Sequence, residues 1–168
     1  MAVVSRLIEA APAEVFDVLA DGWLYPLWVV GATHMREVEE DWPAVGSRLH
    51  HSVGTWPVML DDHTEVLDVE WGRRIVLRAR AWPSGEARVE IELSPSPEGT
   101  TVTMTEYADS GPGAIVPAPV QDIALYPRNV ESLARLSAVV TGRARPRPTD
   151  LADSSRRGTT SCEPGRDG

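Results

Sequence analysis

The chain has 168 residues and a formal net charge of −9, enough length for one domain that buries about 70% of its unfolded surface without a disulfide or metal. Its only cysteine, Cys162, has no partner, which excludes a disulfide framework and makes a reducing, cytoplasmic setting the expectation. Residues 1–142 hold 10 Arg against 21 Asp and Glu, so this part is expected to repel nucleic acid and anionic membranes.

No 18 apolar residues stand together, and Met1-Ala2-Val3-Val4-Ser5-Arg6 lacks a basic segment followed by an apolar run, so neither a membrane span nor secretion is expected. All 16 basic residues are Arg, as codon bias in a very GC-rich genome tends to produce, so a source of actinobacterial type is the expectation. Val3 to Glu9 reads as a strand. Pro12 opens a short helix with Val15, Phe16 and Leu19 on one side, and Asp21-Gly22 stops it. Tyr25 to Val30 is a second short helix, Thr33 to Glu39 a strand, and Trp42 to Gly46 a turn. A meander follows, with strands at Ser47–Val53, Val58–Trp71, Arg74–Trp82, Ala87–Leu93 and Thr101–Tyr107 separated by glycine- and proline-rich turns. In Ala87–Leu93 the alternation is strict, with Arg88, Glu90 and Glu92 expected in water.

An irregular stretch, Ser110 to Pro119, leads to the last patterned segment, a helix over Tyr126–Thr141 that Pro127 opens and Gly142 ends. Tyr126, Asn129, Val130, Leu133, Leu136, Ser137 and Val140 are expected to share its covered face, with Arg128, Glu131 and Arg135 opposite. From Arg143 onward apolar residues almost vanish, so residues 1–142 are expected to form the domain and 143–168 a disordered, Arg-, Pro- and Ser-rich tail.

A strand, two short helices, six more strands and a long C-terminal helix predict an α+β helix-grip fold, a curved antiparallel sheet of about seven strands wrapped around that helix. Five segments in order, Ala11-Pro12-Ala13-Glu14-Val15-Phe16, Tyr25-Pro26-Leu27-Trp28, Trp42-Pro43-Ala44-Val45-Gly46, Leu49 to Pro57 and Gly99-Thr100-Thr101-Val102, precede Arg128-Asn129 at the final helix. Together they make residues 2–142 resemble the START-like (SRPBCC) superfamily in its polyketide cyclase/dehydrase-like branch. The resemblance implies an elongated, mostly apolar cavity between sheet and helix that holds lipids, polyketides, sterols or other hydrophobic molecules. Some members of the superfamily cyclise or dehydrate polyketides and others only carry ligand, so fold alone does not choose between them.

His50 and His51 are adjacent in a strand and point to opposite faces; Leu49 and Val53 share parity with His51, which places His51 inward. It is a candidate acid or base, or a hydrogen-bonded core histidine. Glu106 shares parity with Val102 and Met104, and a carboxyl there must pair or take up a proton. The expected ligand-lining set is Trp28, Leu49, His51, Trp56, Met104, Glu106, Ile115, Asn129, Leu133 and Leu136. In the ligand-binding reading His51 and Glu106 are polar anchors, and in the alternative, a polyketide aromatase/cyclase or dehydratase, they are the catalytic pair. A third reading is an interaction module with a filled core.

Of the tryptophans, Trp71 and Trp82 are expected to pack ordinarily and Trp56 to mark a strand turn at the cavity. Asp61, Asp62 and His63 read as a solvated turn or strand edge, and no zinc-like spacing, nucleophile elbow or phosphate-binding loop occurs. No metal, cofactor or nucleic-acid partner is expected, and the partner called for is a small hydrophobic molecule.

Overall fold

The computed structural model describes residues 1–55, 58–81, 85–111 and 115–144. The element order is β1 (Ala2–Ile8), α1 (Pro12–Ala20), a 3-10 turn at Gly22–Leu24, α2 (Tyr25–Trp28), β2 (Ala32–Val38), β3 (Arg48–Thr55), β4 (Val58–Glu70), β5 (Arg74–Ala81), β6 (Gly85–Ser96), β7 (Gly99–Ser110) and α3 (Ala118–Ala144). The seven strands form one antiparallel sheet in the order β1-β7-β6-β5-β4-β3-β2. Chain neighbours pair from β2 to β7, and β1 closes on β7, so α1 and α2 bridge the two open edges.

Register shifts at Val66/Asp68, in β2 and at Glu86/Ala87 bend the strands, because an unpaired extra residue adds local twist. Their concave face receives α3. Pro12 occupies the first turn of α1, and the Glu14 carboxylate accepts the Ala11 N–H at 2.8 Å, which satisfies a donor the helix itself cannot. Phe16, at 0% exposure, drives this helix into one end of the groove, where Ile8, Ile91, Val102, Leu133 and Leu136 meet it in the core. Gly22 lets the chain pass that core, since a Cβ there would lie 2.5 Å from Leu49 Cδ2. Gly99 has φ +138° and a Cβ on it would stand 2.2 Å from the Ile8 carbonyl oxygen, so the β6–β7 turn depends on glycine.

The outer face of the sheet is ionic. Arg74 pairs with Asp68 and, at 3.4 Å, with Glu90, matching the alternation expected of β6.

The last helix departs from the sequence reading in two ways. It starts at Ala118, well before Tyr126, so Pro127 lies inside it, although proline there forfeits a backbone hydrogen bond. The added turns roof a cavity, which Val120 and Leu125 line. The helix is also rotated from the expected wheel. Asn129, Ser132, Leu133, Leu136 and Val140 are buried, whereas Tyr126 and Val130 are exposed and Arg128 turns towards the sheet. The boundary expected at Gly142 is passed by two residues, since α3 runs to Ala144; residues 145–168, most of the expected tail, lie outside the described residues.

Candidate functional site

A cavity of about 370 Å³ lies between the concave sheet and the first half of α3. It exists because the groove is filled unequally. At one end α1 and the leucines of α3 occupy it; at the other stands only the four-residue α2, whose Tyr25 and Trp28 meet edge-on with ring centroids 5.4 Å apart. Val53 of β3, Leu77 of β5, Val89 of β6 and Met104 of β7 supply the apolar wall.

Of the residues expected at a ligand, Trp28, His51, Met104, Glu106 and Asn129 line this cavity. Leu49, Leu133 and Leu136 are instead fully buried in the core, since parity and wheel position tell inside from outside but not filled core from open wall. Ile115 is 84% exposed, while the adjacent Val116 reaches the lining. Trp56 and Trp82 lie outside the described residues. Trp71, in the β4–β5 turn, is exposed and not packed in the core as expected, although its ring lies 4.8 Å from that of Phe16.

His51 and His50 part as alternation requires. His50 lies on the other face, 3.7 Å from Glu39. His51 is buried, stacks on Tyr25 at 5.2 Å and shares a hydrogen bond with Thr64, Nε2 to Oγ1 at 3.1 Å. The Tyr25 hydroxyl meets the same Thr64 oxygen at 3.0 Å. Burial pushes the Tyr25 phenol up to about 12, so it keeps its proton. One orientation satisfies the chain best: Tyr25 donates to Thr64, Thr64 donates to His51 Nε2, and the imidazole hydrogen sits on Nδ1. The reverse orientation leaves the Tyr25 hydrogen without an acceptor as well. Burial, and after it the nearby Arg36 and His63 charges, lower the His51 pKa to about 4, with a backbone contact at Ser52 acting weakly the other way. The imidazole is therefore neutral at neutral pH.

That depression carries a stability signature. Between about pH 6.5 and 4 the unfolded chain binds the proton that folded His51 refuses, so this group's contribution is full above the unfolded value and is lost as pH falls through that window. The loss is about 3 kcal/mol. Denaturant unfolding of wild type and His51→Asn from pH 7 to pH 4 is expected to show the wild type losing stability more steeply by that amount; parallel curves would show that His51 is not held neutral by the fold.

Glu106, 1% exposed on β7, pairs through Oε1 with Arg128 of α3. Sequence reasoning placed Arg128 on the solvent side, and the correction is physical: a buried carboxylate needs a cation, and rotation of α3 brings this one to the sheet. Tyr25, Thr64 and Ser132 were also missed as site residues. A polar Ser between Asn129 and Leu136 on a covered helix face was the available signal. Asp61 and Asp62 lie within β4 rather than in a turn; Asp61 pairs with Arg36 at 3.3 Å and Asp62 is buried, its Oδ1 accepting the His63 N–H. Among the described residues no group of three or more His, Cys, Asp or Glu is placed to hold a metal ion, and no helix is long and apolar enough to cross a membrane.

Comparison with known proteins places these observations in a family. A family model described as polyketide cyclase/dehydrase and lipid transport matches residues 2–141. Among solved structures, protein CV1439 from Chromobacterium violaceum is 19% identical with a TM-score of 0.63, over 82% of this chain and 95% of that one. An AHSA1-like protein from Aeromonas hydrophila is 17% identical with a TM-score of 0.61, over 84% and 92%. Ara h 8.0201 is 13% identical with a TM-score of 0.64, over 83% and 96%. At these identities the likeness is one of fold. No curated protein matches the chain in sequence.

Proposed function

The chain belongs to the polyketide cyclase/dehydrase and lipid transport family, and on that premise we propose that it binds a small hydrophobic or aromatic molecule, lipid or polyketide-like, in the cavity under α3. The observation that carries this reading is the apolar cavity itself, which is within the size range of small-molecule sites and has few polar groups in its wall. Trp28, Met104 and Val89 are the walls in this reading, with His51, Glu106 and Asn129 as polar anchors. A reducing, cytoplasmic setting belongs to the same reading, on the ground of the single cysteine.

Acid/base catalysis by His51 or Glu106, as in an aromatase/cyclase or dehydratase, is the second reading. It has less support: an imidazole whose pKa has fallen to about 4 is a weak base, and Glu106 is engaged by Arg128. Loss of turnover of a polyketide-like substrate on His51→Ala, with binding retained, is the result that would restore it.

Met104→Trp tests the binding reading directly, because the larger side chain fills the cavity from β7. An environment-sensitive hydrophobic dye is expected to bind the wild type and to lose about tenfold or more in affinity for this variant, while His50→Ala, on the other face, changes nothing. A folded Met104→Trp protein that binds dye as the wild type does would mean that the cavity is not the binding site.

A further inference from the structure

Three residues of the cavity wall each hold a buried polar atom with no hydrogen-bond partner: Glu106 Oε2, Asn129 Nδ2 and His51 Nδ1. All three side chains are at most 3% exposed. Buried polar groups are rarely left unpaired, and three around one apolar cavity specify the polar atoms of whatever fills it.

Their chemistries differ and their places differ. Glu106 on β7 and Asn129 on α3 share the wall where helix meets sheet, next to the Arg128 contact. The first offers a carboxylate acceptor and the second an amide donor. His51 stands on β3, with β4, β5 and β6 between it and β7, and the Tyr25–Thr64 chain leaves its hydrogen on Nδ1 as a donor. Glu106 is paired with Arg128, and the other charges of the lining, Arg80 and Glu86, are one of each sign, so the wall carries no net charge for an ion to meet. A second carboxylate would be pressed against Glu106 Oε2, and a cation against the guanidinium.

We infer that the ligand is an uncharged, mostly apolar molecule with a hydroxyl at the end between β7 and α3 and a carbonyl oxygen at the end against β3; this rests on the ligand-binding reading above. The hydroxyl donates to Glu106 Oε2 while its oxygen accepts from Asn129 Nδ2, and the carbonyl accepts from His51 Nδ1–H. The two ends lie on different strands of the wall, so an apolar spacer must join them, and a free fatty acid is selected against.

Fluorescence titration at neutral pH with four matched naphthalenes tests this. The probes are 6-acetyl-2-naphthol, which has both groups at opposite ends, 2-acetylnaphthalene, which lacks the hydroxyl, 2-naphthol, which lacks the carbonyl, and 6-hydroxy-2-naphthoic acid, in which a carboxylate replaces the ketone. The first is expected to bind about tenfold tighter than either single-group probe and about a hundredfold tighter than the acid, whose carboxylate would give up its hydration at the β3 end against a neutral imidazole. Glu106→Gln should erase the advantage of the hydroxyl, and His51→Phe that of the carbonyl. Equal affinities across the wild-type series, or an acid that binds as well as the ketone, overturn the inference; if Met104→Trp still abolishes binding, the cavity remains a ligand site with other preferences. No binding by any probe overturns both readings.

Discussion

Arg128→Met is expected to destabilise the protein by about 3 kcal/mol, the lower end of the cost of breaking a buried ion pair. Glu106 is 1% exposed and Arg128 is its cation, so the substitution leaves a carboxylate in an apolar wall with nothing to offset its desolvation. The low end is appropriate because the Arg128 side chain is 40% exposed and water already screens its charge. Glu106→Gln combined with Arg128→Met removes both charges and is expected to recover most of the loss, since a neutral pair can replace a buried ionic one at little cost. Denaturant midpoints of the two singles and the double form the cycle. If the double variant is as unstable as Arg128→Met alone, the pair is not what the substitution disrupts, and Arg128 acts by packing its stem against α3 and the sheet.

Leu133→Ala is expected to cost about 2 to 5 kcal/mol. Leu133 is fully buried where the second half of α3 meets the core, and truncation leaves a void that the rigid sheet cannot collapse to fill. Arg135, two residues on, is 45% exposed and bonds Glu131 at 2.8 Å one turn away. Arg135→Ala removes an exposed pair of that spacing and should cost well under about 1 kcal/mol. The contrast is the test, because it measures which side of the helix is gripped. Similar costs for the two substitutions in urea unfolding would place α3 in another rotation about its axis, and the cavity roof with it.

The same helix marks where sequence reading reaches its limit. A wheel drawn on Tyr126 to Thr141 puts Leu133, Leu136 and Val140 inside, as the structure does, because three apolar residues at helical spacing leave little choice. It also puts Tyr126 and Val130 inside and Arg128 outside, because hydropathy knows nothing of Glu106. Nor does the pattern show that the turns before Pro127 are helical: Pro127 resembles a helix start, and only the cavity beneath Val120 and Leu125 gives those turns something to cover.

Local geometry, by contrast, is legible wherever one rule governs it. The period of two in a strand sends His50 and His51 to opposite faces and puts Val102, Met104 and Glu106 on one, and glycine and proline mark the turns of the meander. From these the seven-stranded sheet, its wet outer face and its grip on a C-terminal helix follow without coordinates. Tertiary structure alone decided which inward residues meet an open cavity and which a filled core, and it alone joined Tyr25 to Thr64, 39 residues apart, and Glu106 to Arg128, 22 apart. Those contacts depend on how far α1 fills the groove and how α3 is turned above it. Such quantities are set by packing among segments distant in the chain, where no local period carries the information.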